Sequence, residues 1–280
     1  MSLIVVTVVK DDFQNLRVTA ASVQAQSTKV DWLLVTPFDG STTLAHCQEL
    51  QTNNVAKDVI QDHGGGIYPA MNLALSKISK DDWVWFLNAG DVFAERYCYW
   101  TISTLIEKSQ SRWVYGSHTL ANVNGRILGD WEAPENFQVK RQLFAKKHIC
   151  HQATIFKNEL LLELGGFDTK YEIAADWDLM VRASKLDAGE RVAQSLCIFR
   201  LGGLSSVNRQ KSNRELFMIR LEHLQKRFLL KSIIWFCYRS FRNQLVLAAE
   251  NSFPNFTDTL RRIKYRLRKT LNFVIKKLQK

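Results

Sequence analysis

The chain has 280 residues, 46% of them hydrophobic and 23% charged, proportions that support a sizeable core and exclude wholesale disorder. Its 38 Lys and Arg against 27 Asp and Glu give a net charge of +11. Four prolines and no low-complexity tract or internal repeat exclude a collagen-like chain, a flexible linker, a solenoid and a propeller.

Leu3–Val9 is a continuous, β-branched apolar run, suited to a strand covered on both faces. It has no basic n-region and is cut short by Lys10-Asp11-Asp12, so it reads as a strand and not as a secretory leader. Asp11–Gln26 follows helical spacing through Leu16, Ala20 and Val23. Trp32–Val35 is a second strand, Thr42–Gln51 a second helix and Val55–Ile60 a third strand. Gly64-Gly65-Gly66 makes a turn into a helix over Ile67–Ser76, with Pro69 in the first turn, where a missing N–H costs nothing. Trp83–Leu87 is a fourth strand ending in Asn88-Ala89-Gly90-Asp91, and Val123–Arg126 carries an Asn-Gly hairpin signal. This alternation predicts an α/β fold with a mainly parallel sheet flanked by helices. Ligands in such folds bind beyond the carboxyl ends of the strands, which directs attention to Asp39, Asp62–Gly66 and Asn88–Asp91.

The charge is uneven. From Arg209 to Lys280 there are 18 Lys and Arg and 4 Asp and Glu, a net +14, whereas the first 208 residues carry a net −3. The expected organisation is a body over 1–205 and a basic helical appendage over 206–280. Within the appendage Leu260, Ile263, Leu267, Leu271, Val274 and Leu278 share one helical stripe, and nine Lys and Arg with no acidic residue fill Arg261–Lys280. Such a helix can lie on an anionic membrane surface, pack its stripe on the body, or bind a polyanion without sequence specificity. No helix-turn-helix, paired zinc-ligand spacing or RRM-type motif supports specific nucleic-acid binding. The most apolar long stretch, Leu229–Ala249, is interrupted by Lys231, Arg239 and Arg242, so no membrane span is predicted.

Five cysteines, Cys47, Cys98, Cys150, Cys197 and Cys237, are odd in number and widely spaced, as suits reduced thiols in a cytoplasmic compartment. There is no P-loop, no dinucleotide fingerprint and no G-x-S-x-G elbow. His148-Ile149-Cys150-His151 has no second ligand pair and is a weak zinc signal. Asp91, at the end of a buried strand, can hold a hard divalent cation that also grips phosphates, or can simply close a turn. Asp176, after Gly165-Gly166-Phe167-Asp168 and Ala174-Ala175, is either an acidic residue favoured by a helix N-terminus or a proton acceptor facing a cleft.

The ordered motifs "TVVKDD", "GGGIYPAMN", "WFLNAGD", "HQATIF" and "LGGFD..Y.IAADWDLMVR" resemble family 2 glycosyltransferases of the GT-A fold, over about residues 3–205. They are most similar to the bacterial subgroup of lipopolysaccharide, capsule or exopolysaccharide assembly. The resemblance implies a Rossmann-like GT-A sheet and an inverting single displacement from a nucleotide-sugar donor, with a UDP-sugar expected. The implied acceptor is a hydroxyl of a lipid-linked or growing glycan. It further implies that Asp91 binds Mn²⁺ or Mg²⁺ with the donor diphosphate, and that Asn88 stands where many members have another Asp. Asp176 matches the catalytic base. Thr7, Gly66, Tyr68 and Asn72 match donor-lining positions, and His151, Trp177 and Asp178 would border the acceptor, with His151 also readable as a structural hydrogen-bonding residue.

Three positions depart from that pattern. The strand-two Asp falls nearest Thr36, so Asp39 takes its uracil-contacting role only through a longer loop. Asp62 is a displaced candidate for the carboxylate before the glycine loop, and Pro69 and Leu73 replace the common Asp and Lys. A lipid-linked acceptor implies a cytoplasmic protein held peripherally on the inner face of the cell membrane, with residues 260–280 as the contact. The rival readings are a catalytically silent scaffold of a polysaccharide assembly and a polyanion-binding module.

Overall fold

A computed structural model describes residues 1–39, 41–144, 149–203, 208–252 and 259. The chain divides into two compact units, residues 1–118 with 132–199, and residues 119–131 with 200–280. The boundary expected at 205–206, and the amphipathic stripe of 260–280, lie outside the described residues.

In the first unit β1 (Leu3–Val8), β2 (Asp31–Pro37), β3 (Asp58–Asp62) and β4 (Trp83–Phe86) run parallel in the order β3-β2-β1-β4. They are joined by α1 (Phe13–Gln24), α2 (Thr42–Thr52) and α3 (Ile67–Leu75). Side chains dictate the helix starts. Asp12 accepts the Asn15 N–H ahead of α1, and Ser41 accepts the Leu44 N–H ahead of α2, each satisfying one orphan donor of the first turn. α3 starts from Gly66 at φ 108, and its Pro69 sits in the first turn as expected.

The strands that follow are β5 (Val92–Phe93), β6 (Trp113–Ala121), β7 (Ile127–Trp131), β8 (Thr154–Lys157) and β9 (Glu190–Arg200). Beyond β4 the sheet continues as β8-β6-β9-β5, with β4–β8, β8–β6 and β9–β5 antiparallel. The helices here are α4 (Cys98–Ile106), α5 (Val139–Leu143), α6 (Asn158–Glu163) and α7 (Ala175–Leu186). The expected helix-flanked sheet is present, and its parallel half is β1–β4. On one face Val5, Trp32, Leu34 and Trp85 pack with Leu16 and Ala20 of α1, Cys47 of α2 and Ile102 of α4.

One strand is displaced from expectation. The third strand, read over Val55–Ile60, runs Asp58–Asp62. The Val55 and Ala56 N–H groups both donate to the Leu50 carbonyl after Asn54 takes φ 61, so these two apolar residues close the end of α2 and pair with no strand. None of the five cysteines is in a disulfide.

In the second unit the end of β6 and β7 form the hairpin that the Asn-Gly signal predicts. Gly125 takes φ 77, and the Asn122 carboxamide oxygen accepts the N–H groups of Asn124 and Arg126. Helices α8 (Arg209–His223) and α9 (Leu229–Ser252) pair antiparallel. Their contacts step in opposite directions: Asn243 reaches the Arg209 carbonyl, Asn213 the Phe236 carbonyl and the Ser240 hydroxyl, and Phe217 the Phe236 ring. No described helix is long and apolar enough to cross a membrane.

Candidate active site

Parallel strands deliver their carboxyl ends to one edge. Pro37 is in register with Asp62, and Val6 with Phe86, so Pro37–Asp39, Asp62–Gly66 and Asn88–Asp91 all leave the sheet there. The 88–91 loop is fixed by α1. The buried Thr19 hydroxyl accepts the Gly90 N–H at 2.9 Å and donates to the Asp91 carbonyl at 2.9 Å, and the Asn15 carbonyl also accepts the Gly90 N–H, at 3.1 Å. Gly90 has φ 95, and a Cβ there would lie 3.1 Å from Asn15 Cγ, so the loop needs glycine. Thr19 and Asn15 support this loop through contacts that helical spacing could not reveal.

Asp91 is 3% exposed, and the Asn88 Oδ1 is buried without a hydrogen-bond partner. Two side-chain oxygens at a strand end, one of them unsatisfied, suit a hard divalent cation whose shell is completed by ligand phosphates. Among the described residues no group of three His, Cys, Asp or Glu side chains is assembled for a metal, and His148 lies outside them.

Other nominated donor residues differ in exposure. Thr7 is fully buried. Its hydroxyl donates to the Leu87 carbonyl and accepts the Trp32 indole N–H at 2.9 Å, which stitches β1 to β2 and to the end of β4. Asp62 is buried and accepts the Gly64 N–H at 3.1 Å, opening a run of three glycines with φ of 86, 116 and 108. Asp39 is exposed, and hydrogen bonds from the Ser41 side chain and backbone hold its carboxyl below the usual range.

A second cluster joins α3 to α7 and to the loop before it. The Tyr68 hydroxyl lies 2.8 Å from the Ile173 carbonyl and 3.2 Å from Asp176 Oδ1. Asp176 Oδ1 also accepts the Trp177 N–H at 2.9 Å, so the carboxylate at the start of α7 is held from two sides. Asn72 clamps Phe167 at both backbone atoms, donating to its carbonyl at 2.9 Å and accepting its N–H at 2.8 Å. A Cβ on Gly166, which has φ 72, would lie 2.4 Å from Asn72 Oδ1, so only glycine fits beside the clamp.

Phe167 is the hub of the cluster. Its ring stacks on Tyr68 at 5.2 Å and meets Phe86 and His151 edge-on at 5.3 and 5.5 Å, and His151 stacks on Phe86 at 5.4 Å. His151 is 5% exposed with its Nε2 unpartnered, and burial lowers its pKa to about 4, so the ring is neutral at physiological pH. Trp177 is buried beside Asp176. Asp178, expected to border the acceptor, is 1% exposed and ion-paired to Arg182 at 2.6 Å. Arg182 in turn donates to the Leu164 and Gly166 carbonyls, so this pair fastens the turn that carries Phe167. That holding role is visible only in three dimensions.

No family model matches the chain. An uncharacterized glycosyltransferase of Mycobacterium tuberculosis is 26% identical over 210 residues, covering 72% of this chain and 76% of the relative. The PGL/p-HBAD biosynthesis glycosyltransferase of Mycobacterium bovis is 32% identical over 162 residues, 56% of this chain and 60% of that protein. Staphylococcus aureus TarS 1–349, solved with UDP-GlcNAc, superposes with a TM-score of 0.62 at 13% identity, over 95% of this chain and 79% of that one. The mannosyltransferase PcManGT of Pyrobaculum calidifontis, solved with GDP-Man and Mn²⁺, gives 0.57 at 12% identity, over 98% and 80%. The chain has the fold of these glycosyltransferases. It spans 44% of the longer TarS chain. The homologues and the fold together support a GT-A-like glycosyltransferase.

Proposed function

We propose that this protein is an inverting glycosyltransferase of the family 2 type, moving a sugar from a nucleotide-sugar donor, a UDP-sugar, to a hydroxyl of a lipid-linked or growing glycan. The observation that carries the reading is the fixed carboxylate of Asp176, hydrogen-bonded by Tyr68 of α3 and joined through Phe167 to the end of β4. The names of the relatives, and the UDP-GlcNAc bound in TarS, support the donor class.

In this mechanism Asp176 accepts the proton of the acceptor hydroxyl as its oxygen bonds to the anomeric carbon. The bond from that carbon to the diphosphate oxygen breaks, and a nucleoside diphosphate leaves with the electron pair. Such general-base assistance contributes about 10²–10⁴-fold. Tyr68 orients the carboxylate, and Gly64–Gly66 let the backbone approach the donor. Asp91 and Asn88 would hold Mn²⁺ or Mg²⁺, which when bound neutralises charge on the departing diphosphate. The protein acts at the cytoplasmic face of the cell membrane, where residues 260–280 touch anionic lipid and the polysaccharide acceptor is assembled.

Thermal unfolding with UDP, GDP, CMP and dTDP, with and without Mn²⁺, tests the donor site. Stabilisation by UDP that requires the metal and disappears in Asp91→Ala is expected. No shift with any nucleotide would favour a silent scaffold instead.

A further inference from the structure

In a helix pair stabilised in water the apolar faces meet and the polar faces are solvated. The pair α8–α9 buries Leu216 and Ile219 of α8, yet it also buries polar groups and leaves an apolar face of α9 outside. Asn213, Arg220, Ser232 and Asn243 are buried, and Asn213 and Asn243 form the hydrogen bonds that join the two helices. Burial pushes the pKa of Arg220 down to about 10, so this guanidinium is still charged at neutral pH. Facing outward on α9 are Leu230, Ile234, Cys237, Phe241 and Leu245, spaced 4, 3, 4 and 4 apart and therefore aligned on one stripe. Leu230, Ile234 and Phe241 are 69%, 60% and 62% exposed.

Charge identifies what this stripe meets. From Gln225 to Ala249 there are five basic residues, Lys226, Arg227, Lys231, Arg239 and Arg242, and no Asp or Glu. About 100° of turn per residue sets Lys231 and Arg242 along one flank of the stripe. Two copies of such a face would oppose like charges, whereas an anionic lipid surface complements them. α9 is also too polar to span a bilayer, which leaves the interfacial position, with its axis in the plane of the surface.

We propose that α9 lies on an anionic lipid surface through its Leu230–Leu245 stripe. This goes beyond the contact proposed for 260–280. It concerns a different segment and does not depend on the transferase reading.

The test is co-sedimentation of the full chain with vesicles of equal parts phosphatidylglycerol and phosphatidylcholine, and with phosphatidylcholine alone. It compares wild type, Ile234→Asp with Phe241→Asp, and Ile234→Gln with Phe241→Gln, each checked for unchanged circular dichroism and thermal midpoint. Wild type should prefer the anionic vesicles and weaken with salt, and the Asp pair should lower the bound-to-free ratio at least ~10-fold, the Gln pair less. The proposal is overturned if wild type does not bind, or if both pairs bind as wild type does, which would leave 260–280 to account for all binding. It is equally overturned if the stripe forms a lipid-free dimer that both pairs abolish.

Discussion

Tyr68 and Asp176 are 108 residues apart in sequence, and the Tyr68 hydroxyl stands 3.2 Å from Asp176 Oδ1. The contact ties the helix after the glycine loop to the first turn of the helix that carries the proposed base. A hydrogen bond to a charged group contributes about 1.5–3 kcal/mol. Tyr68→Phe is therefore expected to lower transfer about 10–100-fold with donor affinity little changed, which steady-state kinetics beside nucleotide titration will show. Turnover equal to wild type would remove Tyr68 from the account.

The Gly166 turn has no room for a side chain. Gly166→Ala forces a φ of 72 on an L residue and drives its Cβ into Asn72 Oδ1. The expected loss of stability is about 2–4 kcal/mol, combining left-handed strain with a disturbed Asn72–Phe167 clamp. Urea unfolding measures it, and a loss below about 1 kcal/mol would mean that the clamp yields easily.

Thr19 holds the 88–91 loop from a neighbouring helix. Thr19→Val keeps the shape, removes the hydroxyl and deprives the Asp91 carbonyl of that donor, at an expected loss of about 1–3 kcal/mol. Metal-dependent stabilisation by nucleotide should weaken in the same variant. A variant that unfolds earlier yet keeps the full metal-dependent increment would confine Thr19 to a structural role.

His151 makes stability depend on pH with a definite sign. Its folded pKa, about 4, lies below the ordinary histidine value of 6.5, so at intermediate pH the unfolded chain binds a proton that the folded chain refuses. The contribution is fully present above pH 6.5 and is lost progressively as the pH falls toward about 4, by about 3 kcal/mol in all. Unfolding of wild type and His151→Phe at neutral pH and near pH 4.5 isolates this effect. The variant should lose less stability on acidification, and parallel losses would show that the histidine titrates normally.

The parallel half of the fold was legible because Leu3–Val8 and Trp83–Phe86 are buried on both faces and read as unbroken apolar runs. The antiparallel half was not. β9 mixes exposed, half-buried and buried positions, β5 has two residues, and β6 contains Gly116, where a Cβ would come within 2.6 Å of Leu196 Cγ. In the candidate site the motifs pointed to Tyr68, Asn72 and Asp176, which the fold brings into one cluster. The sequence shows no holding role for Thr19, or for Arg182 although it ends the IAADWDLMVR motif, because the evidence for both is contact across the fold: Thr19 meets Gly90 71 residues away, and Arg182 meets Gly166 16 residues away. A charged residue on a helix face carries no sign of a buried partner. Asp178 and Arg182, four apart on α7, read equally well as a solvated pair.

The most direct test of the central claim pairs Asp176→Asn turnover with donor binding under identical conditions. The account predicts transfer reduced by at least ~10²-fold, with nucleotide-sugar affinity and thermal midpoint close to wild type. Transfer that persists, or donor affinity that falls as far as turnover does, would contradict Asp176 as the base.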